Sequence, residues 1–250
     1  MPKFFVNSSQ IKDNIVCVIG QDVNHITNVL RLNINDKLDI CDTSSKQNYI
    51  CKIVKIYKEK IECKIIEKNE KTTEADIELT MYQGIPKGEK MELIIQKSTE
   101  LGVKNIVPVK MVRCIAKIES KNETKKLSRW QKIAEVAAKQ SGRDIIPKIE
   151  NIVTIKELCS EIKNYDIVLV AYEGEHINKL RNELKNLKHL EKENMRIAVV
   201  IGPEGGIEKE EINALKNSGA KIITLGKRIL RTETVCLTLA SIIMYELEQM

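Results

Sequence analysis

Two glycine-bearing loops constrain this chain of 250 residues more than any other feature: IGPEGG at Ile201–Gly206 and LGKRILRTET at Leu225–Thr234. Each follows a short apolar run that reads as a buried strand, RIAVV at Arg196–Val200 and KIIT at Lys221–Thr224. Glycine lets backbone approach a ligand closely, and open α/β sheets bind small molecules just past the carboxyl ends of their parallel strands. A single loop of this kind is also what any tight strand-to-helix turn requires. The pair, with a helix between them, points to a site built largely from main chain.

The helix after the first loop begins IEKEEINALKNSG, with Glu208, Glu210 and Glu211 in its first turn. Acids there complement the helix dipole, and they repel a phosphate that would otherwise favour that helix end. An uncharged or cationic nucleoside therefore fits better than a dinucleotide or a nucleoside triphosphate. The chain has neither GxGxxG nor a P-loop; in GIPKGEK at Gly84–Lys90 the second glycine falls one position early and no Ser or Thr follows the lysine.

An apolar share of 42% is enough for an ordinary core. No apolar run reaches bilayer length and MPKFFVNSSQ has no signal-like apolar segment, so the expectation is a cytoplasmic protein. Seven cysteines without CxxC spacing read as small core residues in a reducing compartment, and with three scattered histidines they predict no metal site.

The net charge of +6 is unevenly spread. Residues 110–148 hold eleven Lys or Arg against four acids, whereas residues 151–250 hold fourteen bases and fifteen acids. A local excess of this kind suits a polyanion such as RNA, because neutralised phosphates release counterions. A lysine-rich solvated helix face is the alternative.

The chain changes character near residue 70. Before it, Ile15–Ile19, Lys37–Cys41, Tyr49–Ile56 and Ile61–Ile66 read as short strands and Gln21–Arg31 as a helix, which predicts a small β-barrel or sandwich over residues 1–70. The charged stretch Glu67–Glu74 reads as a linker. Over 75–250 strands and helices alternate. Strands are predicted at Ile77–Gln83, Ile106–Val109, Ile167–Ala171, Ile197–Ile201 and Ile222–Leu225. Helices are predicted at Glu89–Leu101 (face Leu93, Ile94, Lys97, Leu101), Leu127–Gln140 (face Trp130, Ile133, Ala134, Ala137) and Thr234–Leu247 (stripe Val235, Leu239, Ile242, Ile243). Such alternation predicts a parallel sheet with right-handed crossovers.

IGPEGG followed by LGKRILRTETV resembles the motif pair of the RsmE family, in the SPOUT class of RNA methyltransferases. Agreement in order and spacing extends to HITNVLRL at His25–Leu32, QGIPKGEKMELIIQKSTELGV at Gln83–Val103, VRC at Val112–Cys114 and AAKQSGR at Ala137–Arg143. The resemblance implies an N-terminal PUA-like β-barrel and a C-terminal α/β domain tied into a trefoil knot. It also implies a homodimer that methylates N3 of one uridine in 16S ribosomal RNA of the bacterial small subunit, using S-adenosylmethionine. Lys3 stands where that resemblance leads one to expect an arginine-rich start.

By the same resemblance, the adenosyl group falls among Tyr172, Glu173 and Gly174, Gly202, Pro203, Gly205 and Gly206, and Leu225, Gly226, Ile229 and Leu230, with Thr232 beside them. Backbone groups of Leu225, Gly226 and Leu230 would lie near the adenine. A sulfonium without phosphate agrees with the acids that follow the first loop. Uridine N3 carries a proton, so the base must be exposed and deprotonated as the methyl transfers, and positioning supplies much of the rate. Arg231 is the first candidate for stabilising charge on the uracil carbonyls, and Glu100 and Glu204 are candidates for accepting the proton. Candidate RNA contacts are His25, Arg31, Arg113, Lys117, Arg129 and Arg143, arginine being favoured because its fork grips phosphate. A non-catalytic RNA-binding assembly factor and a ribose 2′-O-methyltransferase stay open as alternatives.

Overall fold

The computed structural model describes residues 3–116, 118–189 and 192–249. Its contacts divide the chain into two units, one of residues up to 74 with 138–145, the other of 75–137 with 146–250.

In the first unit, short β-branched runs alternate inward and outward as a half-buried sheet requires. The strands are β1 (Lys3–Val6), β2 (Ile11–Lys12) and β3 (Ile15–Ile19), followed by a helical turn α1 (Gln21–Asn24) that continues as a π-helical turn over His25–Val29. Then come β4 (Lys37–Asp42), β5 (Gln47–Ile56) and β6 (Lys60–Asn69). The order across the sheet is β1-β4-β5-β6-β3-β2, antiparallel except for the β1–β4 pair. Phe4, Val16, Val18, Ile26, Leu38, Ile40, Ile53 and Ile61 fill its core. Burial pushes the Cys51 and Cys63 thiols up to about 12, so both act as small apolar fillers.

Part of the segment read as a linker is strand, since β6 runs on to Asn69. Its last residue, Glu74, takes Arg143 Nη2 at 2.5 Å and the Asp144 amide at 2.9 Å. Beside it Lys3 is buried and paired with Asp144, which also accepts from Thr72 Oγ1 and the Thr73 amide. Burial would raise the Asp144 carboxyl, but these donors hold it below the ordinary value. Lys3 is thus spent on folding.

The second unit is a seven-stranded, wholly parallel sheet. In chain order it runs β7 (Glu78–Gly84), α2 (Lys90–Glu100), β8 (Asn105–Lys110), α3 (Ser120–Ser141), β9 (Lys148–Ile149), β10 (Val153–Thr154) and α4 (Ile155–Glu161). It continues β11 (Ile167–Ala171), α5 (Leu180–Lys188), β12 (Arg196–Ile201), α6 (Lys209–Asn217), β13 (Lys221–Ile223) and α7 (Thr232–Glu246). Strand order is β10-β8-β7-β12-β11-β13, with β9 also pairing with β8. Central β12 is buried from Ile197 to Ile201, the near-continuous apolar run expected of a strand covered on both faces.

Two helix faces differ from expectation. On α2 the buried positions are Met91, Ile94, Ile95, Ser98 and Thr99, while Leu93 and Lys97 face outward. The stripe therefore ends in small polar residues that pattern reading passes over; Thr99 returns its hydroxyl to the Ile95 carbonyl at 2.7 Å. On α7 the buried set is Thr232, Cys236, Leu239, Ala240, Ile243 and Met244, with Ile242 partly exposed. The α4 helix, opened by a capping box between Thr154 and Glu157, had no counterpart in the sequence reading. No helix among the described residues is long and apolar enough to cross a membrane.

Candidate functional site

The loops that leave β11, β12 and β13 at their carboxyl ends enclose a cavity of about 450 Å³. That volume lies in the range of sites for small ligands. Ile201, Leu225, Ile229, Leu230 and Val235 give it an apolar side; Glu173, Glu204, Lys90, Arg228 and Arg231 give it charge. Each candidate cofactor residue lines it: Tyr172, Glu173, Gly202, Pro203, Gly205, Gly206, Leu225, Gly226, Ile229, Leu230 and Thr232.

The first loop is packed to the limit of what glycine allows. A Cβ on Gly202 would meet Ile207 Cγ1 at 2.8 Å, one on Gly205 would meet Arg113 Cβ at 3.0 Å, and one on Gly206 would meet Glu173 Oε1 at 2.5 Å. Gly206 also sits at φ +74°, a left-handed conformation that side chains disfavour. On the β7 side, a Cβ on Gly84 would lie 2.6 Å from Pro203 Cδ.

Glu204 fastens this loop to the β7–α2 turn. Its carboxylate takes Lys90 Nζ at 2.8 Å and the Lys87 amide at 3.1 Å. Burial would push its pKa up, yet the bonds from Lys90 and the backbone bring it below the ordinary value. A carboxylate stabilised in its charged form is a weak proton acceptor, so the geometry makes Glu204 a fastener of the loop.

The acids at the start of α6 start the helix, as their sequence position suggests, and do not face the ligand site. Glu208 caps the helix, Glu211 accepts from the Glu208 amide at 3.1 Å and the Val112 amide at 3.0 Å, and neither lines the cavity. The carboxylates that do face it are Glu173 and Glu204. Pattern alone does not separate the two roles, because capping uses the same acids as ligand electrostatics.

The second loop is held lightly. The Gly226 amide is taken by Thr224 Oγ1 at 3.2 Å. The main-chain groups of Leu225 and Leu230 make no hydrogen bond among the described residues. Ile229 is 87% exposed. Arg231 forms the N-cap position of α7 without a side-chain cap bond, and its guanidinium is exposed and without an ion pair among the described residues.

Glu100 does not join this site. It lies ten residues along α2 from Lys90, about 15 Å at the helical rise, and closes on Lys97 Nζ at 2.9 Å. Its assignment as proton acceptor is withdrawn on that distance. Lys90 and Arg228, which do line the cavity, were missed; Lys90 sat inside GEKM, where a helix start explained it sufficiently.

The basic stretch is less basic in space than in sequence, because the fold brings distant acids to it. Arg113 grips Glu208 with two bonds, Nε–Oε2 at 2.7 Å and Nη2–Oε1 at 3.1 Å, and adds the Gly205 carbonyl at 3.1 Å. Arg129 pairs with Glu92 at 2.7 Å and Lys139 with Asp22 at 2.8 Å. Arg113 and Arg129 remain exposed, and exposed pairs are weak enough to exchange a carboxylate for a phosphate. Arg143 is not in that position: it is 4% exposed and bound to Glu74, so its assignment as an RNA contact is corrected to a structural tie. His25 and Arg31 are exposed, His25 lying edge-on to Phe4 at 6.0 Å. Lys117 lies outside the described residues.

Known proteins resemble this chain along most of its length. A family model described as an RNA methyltransferase domain matches residues 73–244, and one described as an RNA methyltransferase PUA domain matches residues 18–66. The ribosomal RNA small subunit methyltransferase E of Bacillus subtilis is 34% identical over 231 residues, covering 92% of this chain and 90% of its own. Its namesake in Mesomycoplasma hyopneumoniae is 31% identical over 245 residues, covering 96% and 97%. The crystal structure of ribosomal RNA small subunit methyltransferase E from Neisseria gonorrhoeae, bound to S-adenosyl methionine, matches with a TM-score of 0.85 at 29% identity over 98% of this chain and 97% of that one. A methyltransferase structure from Legionella pneumophila with bound S-adenosyl methionine matches at 0.84 and 27% identity, over 97% and 96%.

Proposed function

This chain belongs to the ribosomal RNA small subunit methyltransferase E family, and from that premise we propose how it works: its cavity holds S-adenosylmethionine, and its residues deliver the methyl group to N3 of a uridine in 16S ribosomal RNA. The enzyme is a ribosomal RNA methyltransferase dependent on S-adenosylmethionine.

The observation that carries this reading is the glycine cradle. Gly202 and Gly206, where a Cβ would collide, and Gly205, where it would be tight, leave main chain facing a cavity that is apolar on one side and carries the Glu173 carboxylate on another. The apolar side would take an adenine, and the Glu173 carboxylate would favour a cation. When bound, S-adenosylmethionine supplies an electrophilic methyl group on a sulfonium. The free main-chain groups of Leu225 and Leu230 suit the adenine edge, while Gly226 already spends its amide on Thr224.

Arg231 is the residue best placed to act on the base. It borders the cavity, carries an unpaired guanidinium and stands at the mouth of α7. As the N3 proton passes to solvent, negative charge spreads onto the uracil carbonyls, and a preorganised cation there lowers the barrier. Glu204 orders its loop, and Lys90 holds Glu204. His25, Arg31, Arg113 and Arg129 supply phosphate contacts, which position the strand without reading its sequence.

The same reading includes a trefoil knot in the second unit, a homodimer and a cytoplasmic setting. The exposed apolar side chains Ile229, Ile242 and Tyr245 support the dimer, since solvent-facing residues of this size near one loop and one helix suit a protein contact. Titration calorimetry with S-adenosylmethionine tests the function: saturable binding at one site per chain is expected. A folded protein that takes up none would instead be a non-catalytic RNA-binding assembly factor.

A further inference from the structure

Gln83 is fully buried at the carboxyl end of β7, the strand beside β12 at the centre of the sheet, and it does not line the cavity. Its amide Nε2 donates to the Gly84 carbonyl at 2.8 Å and to Thr232 Oγ1 at 2.8 Å. Thr232 in turn donates to the Gly202 carbonyl at 2.7 Å. Gln83 Nε2 also lies 3.5 Å from that same carbonyl. One buried amide thereby joins three segments far apart in sequence: the end of β7, the first glycine of the first loop and the first residue of α7.

The arrangement is costly as packing. Gln83 Oε1 has no hydrogen-bond partner among the described residues, and an unpaired buried acceptor loses its hydration without return. An apolar side chain of similar size would fill the space without that loss. What the amide provides instead is position. Thr232 follows Arg231 directly, so fixing the Thr232 hydroxyl fixes the start of α7 and the point from which the Arg231 side chain leaves. The same hydroxyl sets the distance between Gly202 and the end of the second loop.

Building on the proposed methyl-transfer reading, we propose that Gln83 is a positioning residue: through Thr232 it locks the start of α7 to the first glycine loop and so holds Arg231 and the cofactor walls in register. Gln83 touches neither cofactor nor base. Loss of the tie lets the two loops separate by rotation of the α7 start, while the sheet beneath keeps its packing.

Three variants test this in the full-length protein: Gln83→Leu, Thr232→Val and Thr232→Ser. Single-turnover methyl transfer at saturating RNA and cofactor is expected to fall about tenfold or more in the first two, the scale of one buried hydrogen bond, and Thr232→Ser, which keeps the hydroxyl, is expected to recover most of what Thr232→Val loses. The half-saturating RNA concentration is expected to stay unchanged. Because the two residues act through one chain of bonds, Gln83→Leu with Thr232→Val is expected to cost about as much as the worse single variant. Thermal melting checks that each variant folds, and calorimetry of the wild type with S-adenosylmethionine separates failure of the function from failure of this tie. Folded Gln83→Leu with wild-type rate overturns the proposal, as does full additivity in the double variant. If Gln83→Leu does not fold, Thr232→Val against Thr232→Ser still decides: equal rates would overturn it.

Discussion

The two glycine loops that wall the cavity are built to opposite standards. In Gly202–Gly206 each glycine is pressed against a neighbour, Glu204 is bonded to the β7–α2 turn, and Arg113 crosses the back of Gly205. In Leu225–Arg231 nothing lies within 4 Å of a Cβ on Gly226, and residues 226–229 are exposed. The first loop is finished by its own chain, and the second is left open to solvent. This division suits a site that must be preorganised for a cofactor yet admit a large RNA.

The largest effect should come from filling the packed loop. Gly206→Val adds a branched side chain at φ +74° where the Glu173 carboxylate already sits, so S-adenosylmethionine binding measured by calorimetry is expected to vanish while the protein still melts cooperatively. Retained binding would mean that the first loop is not the preformed half.

Arg231→Ala follows, with methyl transfer at saturating RNA expected to fall by about a hundredfold or more, the scale of one lost charge-stabilising donor, and cofactor affinity to hold. A normal saturated rate with weaker RNA affinity would make Arg231 a phosphate anchor.

The outline of this contrast was legible in the sequence, and its causes were not. Alternating apolar runs gave β11 its bounds and placed both loops at strand ends, because a buried parallel strand is a local signal. Glu208 and Glu211 start their helix as read, but their absence from the cavity was not legible, because an acid in a first helical turn serves a cap or a ligand equally well. Arg143 misled for a different reason: its partner Glu74 is 69 residues away, and nothing local separates a buried arginine from one facing solvent. Gln83 was passed over within a quoted motif, since its partner Thr232 lies 149 residues on. Spacing finds strands and turns, while long-range polar ties appear only in three dimensions.

Gly226→Ala sharpens the comparison from the other side. The substitution meets no neighbour, and only the φ of +118° opposes it, so S-adenosylmethionine affinity is expected to fall about tenfold or less, far short of Gly206→Val. Equal losses in calorimetry would erase the distinction between the loops.

The smallest effect concerns pH. The Glu204 carboxyl is held below its ordinary value of 4.5, so its fastening is fully present above that pH and is lost only as pH falls through the lowered value. Cofactor affinity is expected to be flat from neutrality down to about pH 5 and to decline below it, and Glu204→Gln should lower it a few-fold while removing that decline. A transition near pH 6 would mean that Lys90 and the loop amides do not hold Glu204 in its charged form.

The most direct test of the whole account is methyl transfer to small-subunit ribosomal RNA, with isotope-labelled S-adenosylmethionine and mass analysis of the digested nucleosides. The expected result is label in 3-methyluridine, sharply reduced when Arg231 is replaced by alanine. Label in a ribose 2′-O-methyl nucleoside, or none in RNA from either the free or the assembled subunit, would contradict it.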